Sequence, residues 1–236
     1  MTVGTVDASF SRSAIVAGRL KDWLETIERS LPILISIKSD VVDQAMKGPL
    51  ASAHFYPVEQ IFHLENQLDL LKLPSNEDKG ESLRTRFAML DDLNQLTRIA
   101  SSAFENDRFH LDPHVVNSRA DDRMRNWVED GLRTGDIVIG VEHASGGKLL
   151  GFVQCRLLSK STGWLALIAA DPEVNGVAVI DSLFRRAVEV LRERGVTRLS
   201  ATVSGNNLGS FNLAIRQGFE LIGMSETWHW YGAPRQ

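Results

Sequence analysis

The sequence predicts an α/β domain with a mixed sheet, preceded by a smaller α/β unit. Three observations predict it. Apolar residues recur at helical spacing in several segments, compact apolar runs of strand length lie between them, and glycines mark the joins. The two regions are separated by the most polar stretch, Pro74-Ser75-Asn76-Glu77-Asp78-Lys79-Gly80-Glu81-Ser82, which has no apolar period. The expected organisation is an N-terminal unit over 1–73, a linker over 74–84 and the main domain over 85–236.

The N-terminal unit reads in three pieces. Ile33-Leu34-Ile35-Ser36-Ile37 is a compact β-branched run, the mark of a buried strand. Asp40 is a candidate cap for a helix carrying Val41, Val42, Ala45 and Met46 and ending near Gly48-Pro49. Val58 to Leu64 reads as a strand, with Val58, Gln60 and Phe62 opposite Glu59, Ile61 and His63. This βαβ-like unit buries too little surface alone, so it is expected to pack against the main domain.

After the linker the pattern becomes regular. Leu93, Leu96, Ile99, Ala100 and Ala103 place a helix over Leu90 to Phe104, and Met124, Trp127, Val128 and Leu132 place another over Asp121 to Leu132. Ile137 to Val141, a Gly146-Gly147 turn and Leu149 to Leu158 form a hairpin, and Trp164 to Ala170 is a further strand. Leu183, Phe184, Ala187, Val188 and Leu191 stripe a helix over Asp181 to Arg194, which Gly195 stops in a left-handed conformation. A strand (Arg198 to Val203), a short helix (Leu208 to Arg216) stopped by Gly218, and a last strand (Phe219 to Trp230) complete the chain.

Composition bounds the function classes. Hydrophobic residues make up 43% of the 236 and charged residues 24%, ordinary values for a soluble globular protein. A formal net charge of −4 points to neither a nucleic-acid nor an anionic-membrane partner. Cys155 is alone, which excludes an internal disulfide and fits a reducing compartment. Met1 to Phe10 lacks the basic start and apolar core of a signal peptide, and no apolar run reaches bilayer-spanning length, so a cytoplasmic location is expected.

Three segments resemble the GNAT acyltransferase family, whose element order the chain also follows. Leu167-Ile168-Ala169-Ala170-Asp171-Pro172-Glu173 resembles the strand and exit turn before that family's coenzyme loop. The helix from Asp181 to Arg194 with Gly195-Val196-Thr197-Arg198-Leu199 is the second, and Asn206-Asn207-Leu208 followed by Ile215-Arg216-Gln217-Gly218-Phe219 is the third. A narrower likeness is to the sugar-nucleotide branch typified by TDP-fucosamine acetyltransferase. It rests on Arg108-Phe109-His110-Leu111-Asp112-Pro113, on Trp127-Val128-Glu129, and on the ending Glu226-Thr227-Trp228-His229-Trp230.

The resemblance implies a GNAT acyl-CoA N-acyltransferase fold. It implies transfer of an acetyl or other short acyl group from acetyl-CoA or another acyl-CoA to a primary amine of a small molecule, such as a nucleotide-linked amino sugar. A homodimer is compatible with it. The coenzyme positions it implies are Ile168, Ala169 and Ala170, the loop Asn175, Gly176, Val177, Ala178, Val179, Ile180 and Asp181, and Asn207. In physical terms, a strand ending beside a helix N-terminus leaves N–H groups for a pyrophosphate, and outward peptide groups can pair with the pantetheine arm.

The chain departs from the family pattern at several of these positions. Asn175 replaces a long donor, Ala178 stands at a glycine, and the β-branched Ile180 stands where glycine or alanine keeps space for phosphate. Asp181, read as the helix start, is placed to cap it with the carboxylate and to repel phosphate, with Arg185 and Arg186 one turn on as compensation or as a solvated face. Ala214 stands where the family often has the tyrosine that protonates the thiolate. Two alternatives arise: a catalytically degenerate binding or assembly protein of this fold, and altered acyl-CoA chemistry such as decarboxylation.

The remaining polar candidates each have two readings. His110 and Asp112 suit a base or ligand for an amino sugar, and equally a polar loop in which Asp112-Pro113 starts a turn. Arg108 suits a substrate phosphate. Asn207 suits either the pantetheine arm or a helix cap. Cys155 reads as a small core residue, and Trp228 and Trp230 as a packed strand face. No histidines have metal-ligand spacing, so no metal is expected.

Overall fold

The computed structural model describes residues 19–27, 33–41, 43–74, 83–174 and 176–232. Asn175 and most of the polar linker lie outside them. Among the described residues the elements are α1 (Arg19–Thr26), β1 (Ile33–Asp40), α2 (Gln44–Ser52), β2 (Tyr56–Gln67), β3 (Leu83–Phe87), α3 (Leu93–Ala103) and α4 (Asn117–Thr134). There follow β4 (Ile137–His143), β5 (Leu149–Leu157), β6 (Thr162–Ala170), α5 (Gly176–Glu193), β7 (Arg198–Ser204), α6 (Leu208–Arg216) and β8 (Glu220–Gly232).

All eight strands form one sheet in the order β1-β8-β2-β7-β6-β5-β4-β3. Every neighbouring pair is antiparallel except β6 and β7. Strands β1 and β2 both run antiparallel to β8, which lies between them. The N-terminal β-α-β crossover is therefore split by the chain's last strand. Helices α1 and α2 cover one face there, packing Leu24, Leu50 and Phe55 with Trp228 and Trp230. The tryptophans are a packed strand face, as their alternation predicts.

Local readings shift at several element boundaries, including the start of α4, which lies at Asn117 rather than Asp121. Asp40 closes β1 rather than capping α2, which starts after Asp43 and runs through Pro49 to Ser52. Proline there forfeits one amide bond, a loss that the burial of Met46 and Leu50 outweighs. Strand β3 includes Leu83 and Arg84, within the span read as linker, and its Arg86 reaches both Asp92 and Glu142. Helix α5 begins at Gly176, five residues before the expected Asp181.

Two layers sandwich the middle of the sheet. Helix α5 buries Leu183, Phe184, Ala187 and Leu191 against one face, and α3 and α4 bury Leu96, Ile99, Met124 and Val128 on the other. Gly195 ends the α5 turn at φ 78°, the left-handed conformation expected of it. Cys155 is fully buried in the first of these cores, as a small apolar residue. No helix among the described residues is long and apolar enough to cross a membrane.

The parallel pair is where the sheet opens. Strands β6 and β7 pair only from Thr162↔Arg198 to Leu165↔Ala201. The β5–β6 register shifts at the next residue, Ala166, so β6 bulges and bends where it leaves β7.

Candidate active site

The divergence of β6 from β7 opens a cavity of about 360 Å³. Leu165 to Ile168 of β6 and Ala201 to Ser204 of β7 form its walls. Ile180 and Phe184 of α5 close one side, and Asn207, Leu213 and Ala214 of α6 another. The cavity continues under the 104–108 segment to Glu59 on β2 and Lys38 on β1. One space thus joins the splayed strands to a charged end.

At the splayed end, side chains alternate across β6. Ile168 and Ala170 turn toward α5, whereas Ala169 is buried with α3 and α4, and of the three only Ile168 lines the cavity. The exit turn is fixed by Asp171, whose carboxylate meets Arg98 at 2.5 Å, Lys148 at 3.0 Å and the Glu173 amide at 3.1 Å. Those bonds, led by Arg98, hold its pKa down at about 2.

Helix α5 follows at once. Its first turn, Gly176 to Val179, contains no acidic side chain. A Cβ added at Gly176 would meet Ala170 Cβ at 3.4 Å, so the glycine lets the first turn lie close against the end of β6. These features fit a pyrophosphate.

The two residues expected to obstruct the turn lie beyond it. Asp181 lies inside α5 and cannot be its N-terminal cap, and Ile180 points into the cavity from beyond the first turn. Val177 is exposed, Ala178 is half-buried and Val179 packs under the sheet. Arg185 donates to the Pro74 carbonyl, and Arg186 pairs with Glu189 and Glu193, so neither compensates at the turn. Asn207 caps α6, its Oδ1 accepting from the Ser210 amide at 3.0 Å, and the residue also lines the cavity. Ala214 stands in the wall with no hydroxyl to offer.

The charged end was largely unforeseen. A register shift at Val58 between β2 and β8 sets Glu59 opposite Thr227, on the face shared with Lys38 of β1. Glu59 is buried, and burial lifts its carboxyl above the usual range against the opposing pull of Ser204 and Arg108. Arg108 approaches it at 3.9 Å. Arg123, from α4, shares the space and stands 4.3 Å over Phe109 and 5.1 Å over Trp127. Arg123 falls at helical spacing with Trp127 on the apolar stripe of α4, a signal by which it was findable. Glu59 gave no such signal, because a bulge is invisible in alternation.

His110 and Asp112 do not line the cavity. His110 bonds Asp121 at 3.1 Å. Asp112 is buried and takes hydrogen bonds from His229 Nδ1 (2.5 Å), Tyr56 (3.0 Å) and the His114 amide (2.8 Å). Its oxygens are occupied, so it is not placed to deprotonate a substrate. Among the described residues no group of three or more His, Cys, Asp or Glu is placed to hold a metal ion.

Residues 93–219 match the family model described as "Acetyltransferase (GNAT) family". Solved structures share the fold. A GCN5-related N-acetyltransferase from Sphaerobacter thermophilus superposes with a TM-score of 0.62 at 15% identity, over 92% of this chain and 65% of that one. A tandem GNAT protein from the clavulanic acid biosynthesis pathway gives 0.61 at 14%, over 87% and 65%. A GCN5-related N-acetyltransferase from Kribbella flavida gives 0.56 at 13%, over 84% and 68%. The chain thus spans about two thirds of these proteins' length. Among curated proteins no sequence matches.

Proposed function

The chain belongs to the acetyltransferase (GNAT) family, and from that premise we propose that it transfers an acetyl or other short acyl group from an acyl-coenzyme A to the primary amine of a small molecule. One observation carries this reading: a single cavity runs from the β6–β7 divergence and α6 to the buried carboxylate of Glu59. A thioester held at the first end and an amine held at the second would meet inside it.

The roles follow from position. Backbone groups of Ile168 to Ala170 pair with the pantetheine arm, and the first turn of α5 holds the pyrophosphate. Glu59 takes a proton from the acceptor's ammonium, and the burial that raises its pKa makes it a stronger base than an ordinary carboxylate. The neutral nitrogen attacks the thioester carbonyl, the C–N bond forms and the C–S bond breaks. With Ala214 in the α6 wall, the proton that nitrogen sheds as the amide forms passes through water to the departing sulfur.

The amine of a nucleotide-linked sugar is the finer candidate. It is supported by the likeness of the Arg108 to Pro113 segment and by the place of Arg108 in the cavity wall. The test is acyl-CoA-dependent thiol release with a panel of primary amines, with product mass as a second readout. Turnover with at least one amine, lost in Glu59→Gln, is the expected result. Absence of turnover with every amine and every short-chain acyl-CoA would overturn it.

A further inference from the structure

Three cations from three elements converge on the end of the cavity that holds Glu59. Lys38 comes from β1 at the mouth, Arg108 from the segment after α3, and Arg123 from α4. The two guanidiniums stand over the same Phe109 ring, at 4.6 and 4.3 Å. Such stacking holds planar cations in place while leaving N–H groups at their edges.

Their charges are poorly matched. Among the described residues, neither Lys38 nor Arg123 has a carboxylate within ion-pair distance, and Arg123 donates only to the soft Met124 sulfur, at 3.6 Å. Arg108 has Glu59 at the limiting distance of 3.9 Å, and its Nε is buried without a partner. Asp107, the other acid in the wall, uses one oxygen on the amides of Phe109 and His110. Three cations therefore face two carboxylates, of which Asp107 keeps a second oxygen, Oδ2, buried without a partner.

Arg108 and Arg123 are half-buried and Lys38 is exposed at the mouth. Unmatched charge drawn partly out of water is costly and is retained where something pairs with it. We propose that Lys38, Arg108 and Arg123 form a receptor for an oxyanion, a carboxylate or a phosphate, carried by the amine acceptor itself. Glu59 beside them takes the ammonium, so the acceptor is an amine that also bears an anionic group. The cations' depressed pKa values agree: burial, then repulsion from Arg108, brings Arg123 down to about 10, and Lys38 is lowered by the same two causes. An anion in the receptor would relieve both effects.

The receptor rests on the acyltransferase reading for the amine, but not for the anion. Two measurements keep these separate. Inorganic phosphate and acetate are titrated into the wild type, Arg123→Met, Arg108→Met and Lys38→Met by calorimetry, with folding checked by circular dichroism and coenzyme A binding as a control. The wild type should bind at least one of the two anions. Affinity should fall about tenfold or more in each Arg variant, with coenzyme A binding unchanged. Anion affinities that are absent, or equal in wild type and folded variants, would overturn the receptor.

The second measurement compares acceptors with acetyl-CoA: 2-aminoethyl phosphate against 2-aminoethanol, and β-alanine against propylamine. Preference for the charged member supports the receptor, and the pair in which it appears distinguishes phosphate from carboxylate. Equal rates within both pairs would overturn it. Absence of turnover with all four would weigh against the transfer reading, while the titration still decides the receptor.

Discussion

His229 Nδ1 stands 2.5 Å from Asp112 Oδ2, joining the last strand to the segment between α3 and α4 across 117 residues of sequence. Both side chains are fully buried. Burial alone would raise the Asp112 pKa, but the bonds from His229, the His114 amide and Tyr56 hold it below the usual range. The pair clamps the 106–116 segment, and with it Arg108, over the polar face of β1, β8 and β2.

Asp112→Asn should therefore act on stability. Removing the charge from a buried hydrogen-bonded pair costs about 3 kcal/mol or more, which urea unfolding would read. The kcat of the folded fraction should stay within about threefold of wild type, since each 1.4 kcal/mol of barrier is tenfold and Asp112 does not reach the cavity. The loosened clamp on Arg108 should instead show as a higher KM. A large loss of kcat at full folding would restore it as a catalytic residue.

His229 makes stability depend on pH. Burial lowers its pKa more than Asp112 raises it. As pH falls through about 6.5, the unfolded chain takes up a proton that the folded chain resists. The unfolded state then binds more protons, so stability rises with pH from about 5 to 7 and falls on acidification. His63 is lowered in the same direction, also chiefly by burial. His229→Asn should flatten the melting temperature against pH without abolishing the slope, and parallel curves would contradict this.

Much of the fold was legible in the sequence. The hairpin, the α5 stripe and the left-handed Gly195 all follow from local chemistry. The start of α5 was not, because Asn175-Gly176 reads as loop by propensity while Val179 is drawn into the core beneath Gly151. Of the cavity, the walls from β6 and from the start of α6 were legible, because backbone placement there follows from element order. Its charged end depends on the Val58 bulge and on β8 inserting between β1 and β2, pairings between residues far apart in sequence. His229, hidden between two core tryptophans, offered no local sign of its partner.

Glu59→Gln should lower kcat by about 10² to 10⁴-fold, the usual reach of a positioned base. Its burial-raised pKa also places the acid limb of the wild-type rate profile above the ordinary carboxylate range. Activity is lost as pH falls through that pKa, and the variant should lack the limb. A variant with wild-type rate and profile would remove Glu59 from the reaction.

Gly151→Ala tests how tightly α5 is seated. An added Cβ would lie 2.6 Å from the Ala169 carbonyl oxygen and 2.6 Å from Val179 Cγ1, so strand or helix must shift. Overpacking of this kind costs about 1–3 kcal/mol. Because Val179 belongs to the first turn, acetyl-CoA affinity should fall with it. Unchanged stability and affinity would show that the contact is loose.

Titration of acetyl-CoA into the wild-type protein by isothermal calorimetry tests the central claim most directly. The cleft between β6 and β7, with an acid-free first turn on α5, predicts saturable binding at one site, competed by coenzyme A. No heat and no competition with acetyl-CoA or any other short-chain acyl-CoA would contradict it.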